Sequence, residues 1–122
     1  MSNKATAISF LRECAAGAPR EGARRFAAPG FRHHNPFFPA SPDALFKGME
    51  DNARQFPEKV LDVKHALEDG DLVAVHSHVR MKPGEKGIAV VHLMRFEGGK
   101  IAEFWDVAQA IPDDSPNPNG MF

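Results

Sequence analysis

At 122 residues the chain has room for one hydrophobic core, because domains cluster near ~100–150 residues, and a single domain over 1–122 is expected. A hydrophobic share of 43% beside ten glycines excludes a charged, disordered tail. Fifteen Lys and Arg against sixteen Asp and Glu leave a net charge of -1, which argues against nucleic acid or an anionic membrane as a partner.

Between Ser2 and Cys14 the residues Ala7, Ile8, Leu11 and Cys14 recur three and four apart, and Ser2 is placed to cap the first turn, which predicts a helix. Arg12 and Glu13 interrupt this segment before any apolar run develops, so it does not read as a secretory leader and a cytoplasmic location is expected. Cys14 is the only cysteine, so any site is built from His, carboxylates and aromatics rather than thiolate clusters or disulfides. Pro19 to Ala28 predicts a weaker helix anchored by Phe26 and ended by Pro29-Gly30. A short extended piece, Phe31 to His34, follows. Ser41 as cap, Pro42 at the first helical position and Asp43 at the positive end of the dipole mark the third helix, whose apolar face runs through Leu45, Met49, Asn52 or Ala53, and Phe56.

After Pro57 the apolar period changes to alternation and predicts strands at about 59–68, 71–81, 88–96 and 100–109. The longest apolar stretch, Ile88 to Met94, contains a histidine and falls far short of the ~18 residues that span a bilayer. Connections at Asp69-Gly70, Lys82 to Gly87 and Gly98-Gly99 are hairpin lengths, so the sheet is expected to be antiparallel. Residues 112–122, rich in Pro and Asn, read as an irregular C-terminal arm that either frays or packs across a pocket mouth or partner subunit. Helices followed by a meandering sheet make an α+β fold.

Hairpin geometry predicts where the histidines point. If Asp69-Gly70 is a two-residue turn, Leu61, Val63, His65 and Leu67 share a face with Leu72, Ala74, His76 and His78. The opposite face of the first of these strands carries Asp62 and Lys64, so the leucine face is expected to be covered, with His76 and His78 inside. Val73, Val75 and Val79 then lie on the outer face, an apolar patch of the kind that marks a homodimer interface. In the next strand Ile88, Val90, His92, Met94 and Phe96 share the inward face. For the last strand a two-residue Gly98-Gly99 turn sends Ile101, Glu103, Trp105 and Val107 inward, whereas a bulged version sends in Phe104 and Asp106. The apolar pattern favours the first, and a bulge near Trp105-Asp106 would still bring Asp106 inside; the choice stays open.

A single His on an apolar face is more often a hydrogen-bonded core residue than a functional one. Three of like parity on adjacent strands are harder to explain that way, because burying polar rings without partners costs about 1–3 kcal/mol each. His33 and His34, before Asn35-Pro36, also fit a polar turn, and His65 fits a solvent-facing position. Two chemistries suit the cluster. His76, His78 and His92 could hold zinc or iron. Alternatively, with no cofactor, a buried carboxylate removes a proton while histidines stabilise the enolate oxygen.

His34-Asn35-Pro36, the Glu68-Asp69-Gly70-Asp71-Leu72-Val73 hairpin with His76-Ser77-His78, and Arg95-Phe96-Glu97-Gly98-Gly99-Lys100-Ile101-Ala102-Glu103-Phe104-Trp105-Asp106-Val107 resemble the SnoaL-like members of the nuclear transport factor 2 (NTF2)-like superfamily. The ending Asn119-Gly120-Met121-Phe122 is similar to the close of its predicted aldol-condensation branch. The resemblance runs from about Phe31 to Phe122. It implies a cone of three helices on a curved antiparallel sheet around a ligand pocket, as a homodimer, and polyketide cyclase-like ring closure without cofactor, with an aspartate as acid and base. Asp106 best matches that acid, with His34 and His92 as catalytic companions and His76, His78, Trp105, Phe104 and Met94 lining the pocket. The chain has no Tyr and is short for a polyketide-sized cavity, which points to a small carbonyl compound. The alternative is a small-molecule-binding module without chemistry.

Overall fold

The computed structural model describes residues 1–122. Three helices, α1 (Asn3–Ala15), α2 (Pro19–Phe26) and α3 (Pro42–Gln55), accompany five strands, β1 (Ala27–His33), β2 (Val60–Asp69), β3 (Leu72–Arg80), β4 (Ile88–Glu97) and β5 (Lys100–Ala110). The strands form one sheet in the order β1-β5-β4-β3-β2. Ser2 caps α1 by accepting from the Ala5 N–H, and Ser41 caps α3 by accepting from the Ala44 N–H. No helix is long and apolar enough to cross a membrane.

The sheet is mixed rather than wholly antiparallel. Strands β2 to β5 are antiparallel neighbours, but β1 runs parallel to β5, pairing Arg32 with Glu103 and His33 with Phe104. Hairpin connections dictate the first relation; β1 reaches β5 from a distance in sequence, so no turn dictates its direction. Pro29-Gly30 does not end a helix but lies inside β1. An edge strand tolerates this because a proline there removes no ladder bond, and the pairing with β5 is broken between Ala27 and Arg32.

The helices cover one sheet face. Phe10 and Leu11 of α1 and Leu45 and Phe46 of α3 meet Val73, Val75, Met94, Ile101 and Phe104 in the core. Phe10 sits edge-on to Phe104 at 5.9 Å, and Phe31 stacks on Phe46 at 5.8 Å.

Two bulges decide what the sheet presents to that core. In β2 the pairing is Val63 with Ser77 and His65 with His76, leaving Lys64 as an extra residue. Leu61 and Val63 therefore pack inward, while His65 and Leu67 point outward. In β5 the pairing is Phe96 with Ile101 and Arg95 with Glu103, leaving Ala102 as the extra residue. Beyond it Phe104 lies opposite Met94 and Asp106 opposite His92, on the covered face. The bulge lies three to four residues nearer the turn than the expected position near Trp105-Asp106.

These bulges correct the expected face of β3. Val73, Val75 and Val79 are buried beneath the helices and are no outer patch. His76 and His78 take the opposite, outer parity, because Leu61 and Val63 belong to one face and Leu67 to the other, so the leucine pattern carries no single face through β2.

Candidate functional site

A cavity of about 510 Å³ opens between the inner sheet face and the helices, within the range of ~300–1,000 Å³ common for small-molecule sites. Its wall is mostly apolar, with Leu61, Val79, Val90 and Phe104 from the sheet and Leu11 and Met49 from the helices. The polar side chains that reach it are Asn35, Lys59, His92 and Asp106. Cys14 also lines it, but burial pushes its thiol pKa up to about 12, so it remains a neutral, poorly nucleophilic group.

His92 and Asp106 face one another as cross-strand partners on β4 and β5. Burial lowers the His92 pKa from 6.5 to about 4, and the nearby Asp106 charge opposes that only in part. The ring is therefore neutral at pH 7, and its Nδ1 is buried without a hydrogen-bond partner. A ligand oxygen or N–H placed there would give that ring nitrogen a hydrogen-bond partner.

Asn35 completes the group. Its Nδ2 donates to Asp106 Oδ2 at 2.9 Å, while its Oδ1 accepts from the Phe37 N–H at 2.9 Å. The local turn thus fixes which end of the amide faces the carboxylate. His33 supports the turn: it is 6% exposed, its Nε2 donates to the Pro39 carbonyl at 2.9 Å, and its Nδ1 accepts from the Asn35 N–H at 3.1 Å. The Asn35 bond is the one protein hydrogen bond to Asp106, so Oδ1 remains available to a ligand.

Lys59, immediately before β2, enters from the far side of the cavity. Its Nζ donates to Asn52 Oδ1 at 2.5 Å, and partial burial lowers its pKa.

The other residues singled out from sequence divide. Phe104 lines the cavity, its ring tilted against His92 at 5.4 Å, whereas Met94 is fully buried in the core and does not line it. His34, His76, His78 and Trp105 do not line it. His34 is stacked on Trp105 at 5.0 Å, and its Nε2 lies 2.5 Å from Glu103. Glu103, facing away from the cavity, also accepts from Arg32 at 2.9 Å and Arg95 at 3.2 Å. The His34 bond, helped by Arg95 and Arg32, holds its carboxyl pKa below the ordinary value against the opposing effect of burial. His76 lies beside His65 and Phe122, and His78 donates from Nε2 to the Lys86 carbonyl at 2.6 Å. With His92 on the other face, His76, His78 and His92 do not converge, and no three His, Cys, Asp or Glu side chains are grouped to hold a metal.

Asn35 and Lys59 went unmarked in the sequence reading. Alternation through Phe31, His33 and Asn35 was the available signal for the first, since it sets Asn35 opposite in parity to His34. Lys59 carries no such signal, because a lysine at a strand start ordinarily faces water.

A family model described as a SnoaL-like domain matches residues 8–104. The fold is similar to that of AclR, a proposed hydroxylase of Streptomyces galilaeus, at 24% identity over 88% of each chain with a TM-score of 0.72. It is similar to IdmH, a proposed polyketide cyclase of Streptomyces antibioticus, at 18% identity over 89% of this chain and 93% of that one, TM-score 0.68. A proposed isomerase of the SnoaL-like family from Agrobacterium tumefaciens aligns at 11% identity over 90% of this chain and 100% of its own, TM-score 0.72. At these identities the likeness carries the fold alone. No curated protein matches the sequence.

Proposed function

Because the chain belongs to the SnoaL-like domain family, we propose that it is a cofactor-independent enzyme of cyclase or isomerase type acting on a small carbonyl compound. Asp106 removes the α-proton through Oδ1, the C–H electron pair becomes the C=C bond as the carbonyl π pair moves to oxygen, and the enolate forms against His92 and the Asn35 amide. Neutral His92 suits this role, because a polar group that is not charged beforehand stabilises developing charge without neutralising Asp106. Returning the proton to a different carbon isomerises the substrate. Attack of the enolate on a second carbonyl closes a ring, and the new alkoxide takes the proton back from Asp106. His34 has no part in this chemistry, being held outside the cavity by Glu103 and Trp105.

The observation that carries this reading is a carboxylate held by one amide beside a neutral, unpartnered imidazole inside an apolar cavity. Its test is α-deuterium uptake by 1-tetralone in D2O, followed by NMR. The wild-type protein is expected to accelerate exchange over buffer, and Asp106→Asn to lower the accelerated rate by at least ~10²-fold, the size ordinarily attributed to a general base. Exchange no faster than in buffer, or undiminished in the variant, would refute it. The apolar wall also favours a second reading, a binding module without chemistry, which predicts ligand binding that survives Asp106→Asn with no product formed.

The resemblance further supports a curved, cone-like enclosure around the cavity and association of two copies through the outer sheet face. Val60, Leu67, Leu72, Leu93 and Val107 are the exposed large apolar side chains of that face.

A further inference from the structure

Lys59 is an ammonium without an anion. Asn52 Oδ1 takes one of its three donors, and no carboxylate lies within ion-pair range of it. The arrangement is nevertheless built: Asn52 Nδ2 points to the Met81 sulfur at 3.9 Å, which turns Oδ1 toward the lysine, and Met81 and Leu61 line the cavity together with Lys59. Arg95, half-buried on the opposite sheet face, is by contrast paired with Glu97 and Glu103. A desolvated cation without a counter-charge is costly, and a ligand that brings the charge recovers that cost.

The sheet order and register separate the two polar ends of the cavity. Asp106 lies on β5 and Lys59 just before β2, three strands across the sheet and, counted from Ala66 in the cross-strand row of Asp106, seven residues along it. An anion beside Asp106 would be repelled by that carboxylate, whereas at the Lys59 end it gains a partner and leaves the reacting carbon at the other.

We propose that Lys59 is the residue that selects an anionic substrate, so that the compound carries a carboxylate at the end remote from the carbon that Asp106 deprotonates. This rests on the reading of the cavity as the reaction site, and it adds the class of carbonyl compound: a keto acid with an apolar body between its two functional ends.

A near-isosteric pair separates charge from shape. Binding of 1-naphthylacetate and of 1-naphthylacetamide is measured by calorimetry. Wild-type protein is expected to bind the acid at least about tenfold more tightly than the amide, as a charge-assisted contact implies. Lys59→Met abolishes the difference by weakening the acid and leaving amide affinity within twofold, and Lys59→Arg retains it. Amide binding without an acid preference in the wild-type protein, or a preference that survives Lys59→Met, overturns the inference. The wild-type comparison decides even where a variant fails to fold. Asp106→Asn keeps the preference, so loss of deuterium exchange and loss of acid selectivity are separate failures. Binding of neither probe by the wild-type protein also overturns the inference, while deuterium exchange still decides the reaction.

Discussion

His92 links the chemistry of the cavity to the stability of the fold. Its folded-state pKa of about 4 lies below the ordinary 6.5. Between those values the unfolded chain takes up a proton that the folded chain refuses, so stability falls as pH drops from 6.5 toward 4 and this contribution levels off below. The full effect is on the order of 3 kcal/mol. Glu103 also loses stabilisation in acid, but its lowered pKa places that loss below its ordinary 4.5, in a later window. Urea unfolding at pH 7, 6 and 5 tells them apart: His92→Gln is expected to flatten the decline across this range relative to wild type, and parallel curves would contradict the assigned cause. Alternation in β4 made His92 legible from sequence, since nothing interrupts that strand between Ile88 and Phe96. His34 misled because it is the visible half of a pair whose other member, Asn35, turns into the cavity. A turn residue's direction depends on side-chain contacts such as those of His33 with Asn35, Pro39 and Ser41, which neither strand alternation nor helical spacing encodes.

At the scale of the element, the connection between β3 and β4 is the most constrained turn. Gly87 has φ +78°, and a Cβ there would stand 2.1 Å from the Val79 carbonyl oxygen, backbone that is itself paired to Ile88. Gly84, in the same connection, has φ +86° but open space where a Cβ would go. Gly84→Ala therefore incurs only the left-handed backbone cost of about 1–2 kcal/mol. Gly87→Ala incurs that cost and must also move the strand end, so it is expected to lower the melting temperature by at least twice as much; equal shifts would show that the turn relaxes freely. Strand positions, hairpin lengths and helix caps were legible in the sequence because each depends on neighbours along the chain. The bulges at Lys64 and Ala102 were not, because an extra residue in one strand is defined only against its partner. Their effect is large: one reverses the expected side of His76 and His78, and the other brings Asp106 to the cavity.

For the whole molecule, the outer sheet face is the surface left without a layer of helices. Its own C-terminal arm crosses part of it, with Phe122 stacked on His78 at 4.7 Å and Met121 bordering a pocket shared with Val91 and Val107. The arm leaves Leu67 69% and Val107 67% exposed, on β2 and β5 at opposite sides of the face. Apolar side chains so exposed gain little from folding of one chain, and a second sheet laid over them would remove them from water at ~25 cal/mol per Å². A self-complementary contact across a two-fold axis uses both sides at once, since a residue near one edge meets the opposite edge of its partner. Light scattering is expected to give twice the monomer mass for the wild-type protein. Val107→Glu sets two buried charges against that contact while leaving the cavity wall untouched, and is expected to shift the mass to that of the monomer without lowering binding of 1-naphthylacetate. A wild-type monomer would refute the assembly. Loss of ligand binding together with dissociation would instead make the second copy a part of the site, whereas one chain alone already brings Asp106, His92 and Lys59 to the same cavity.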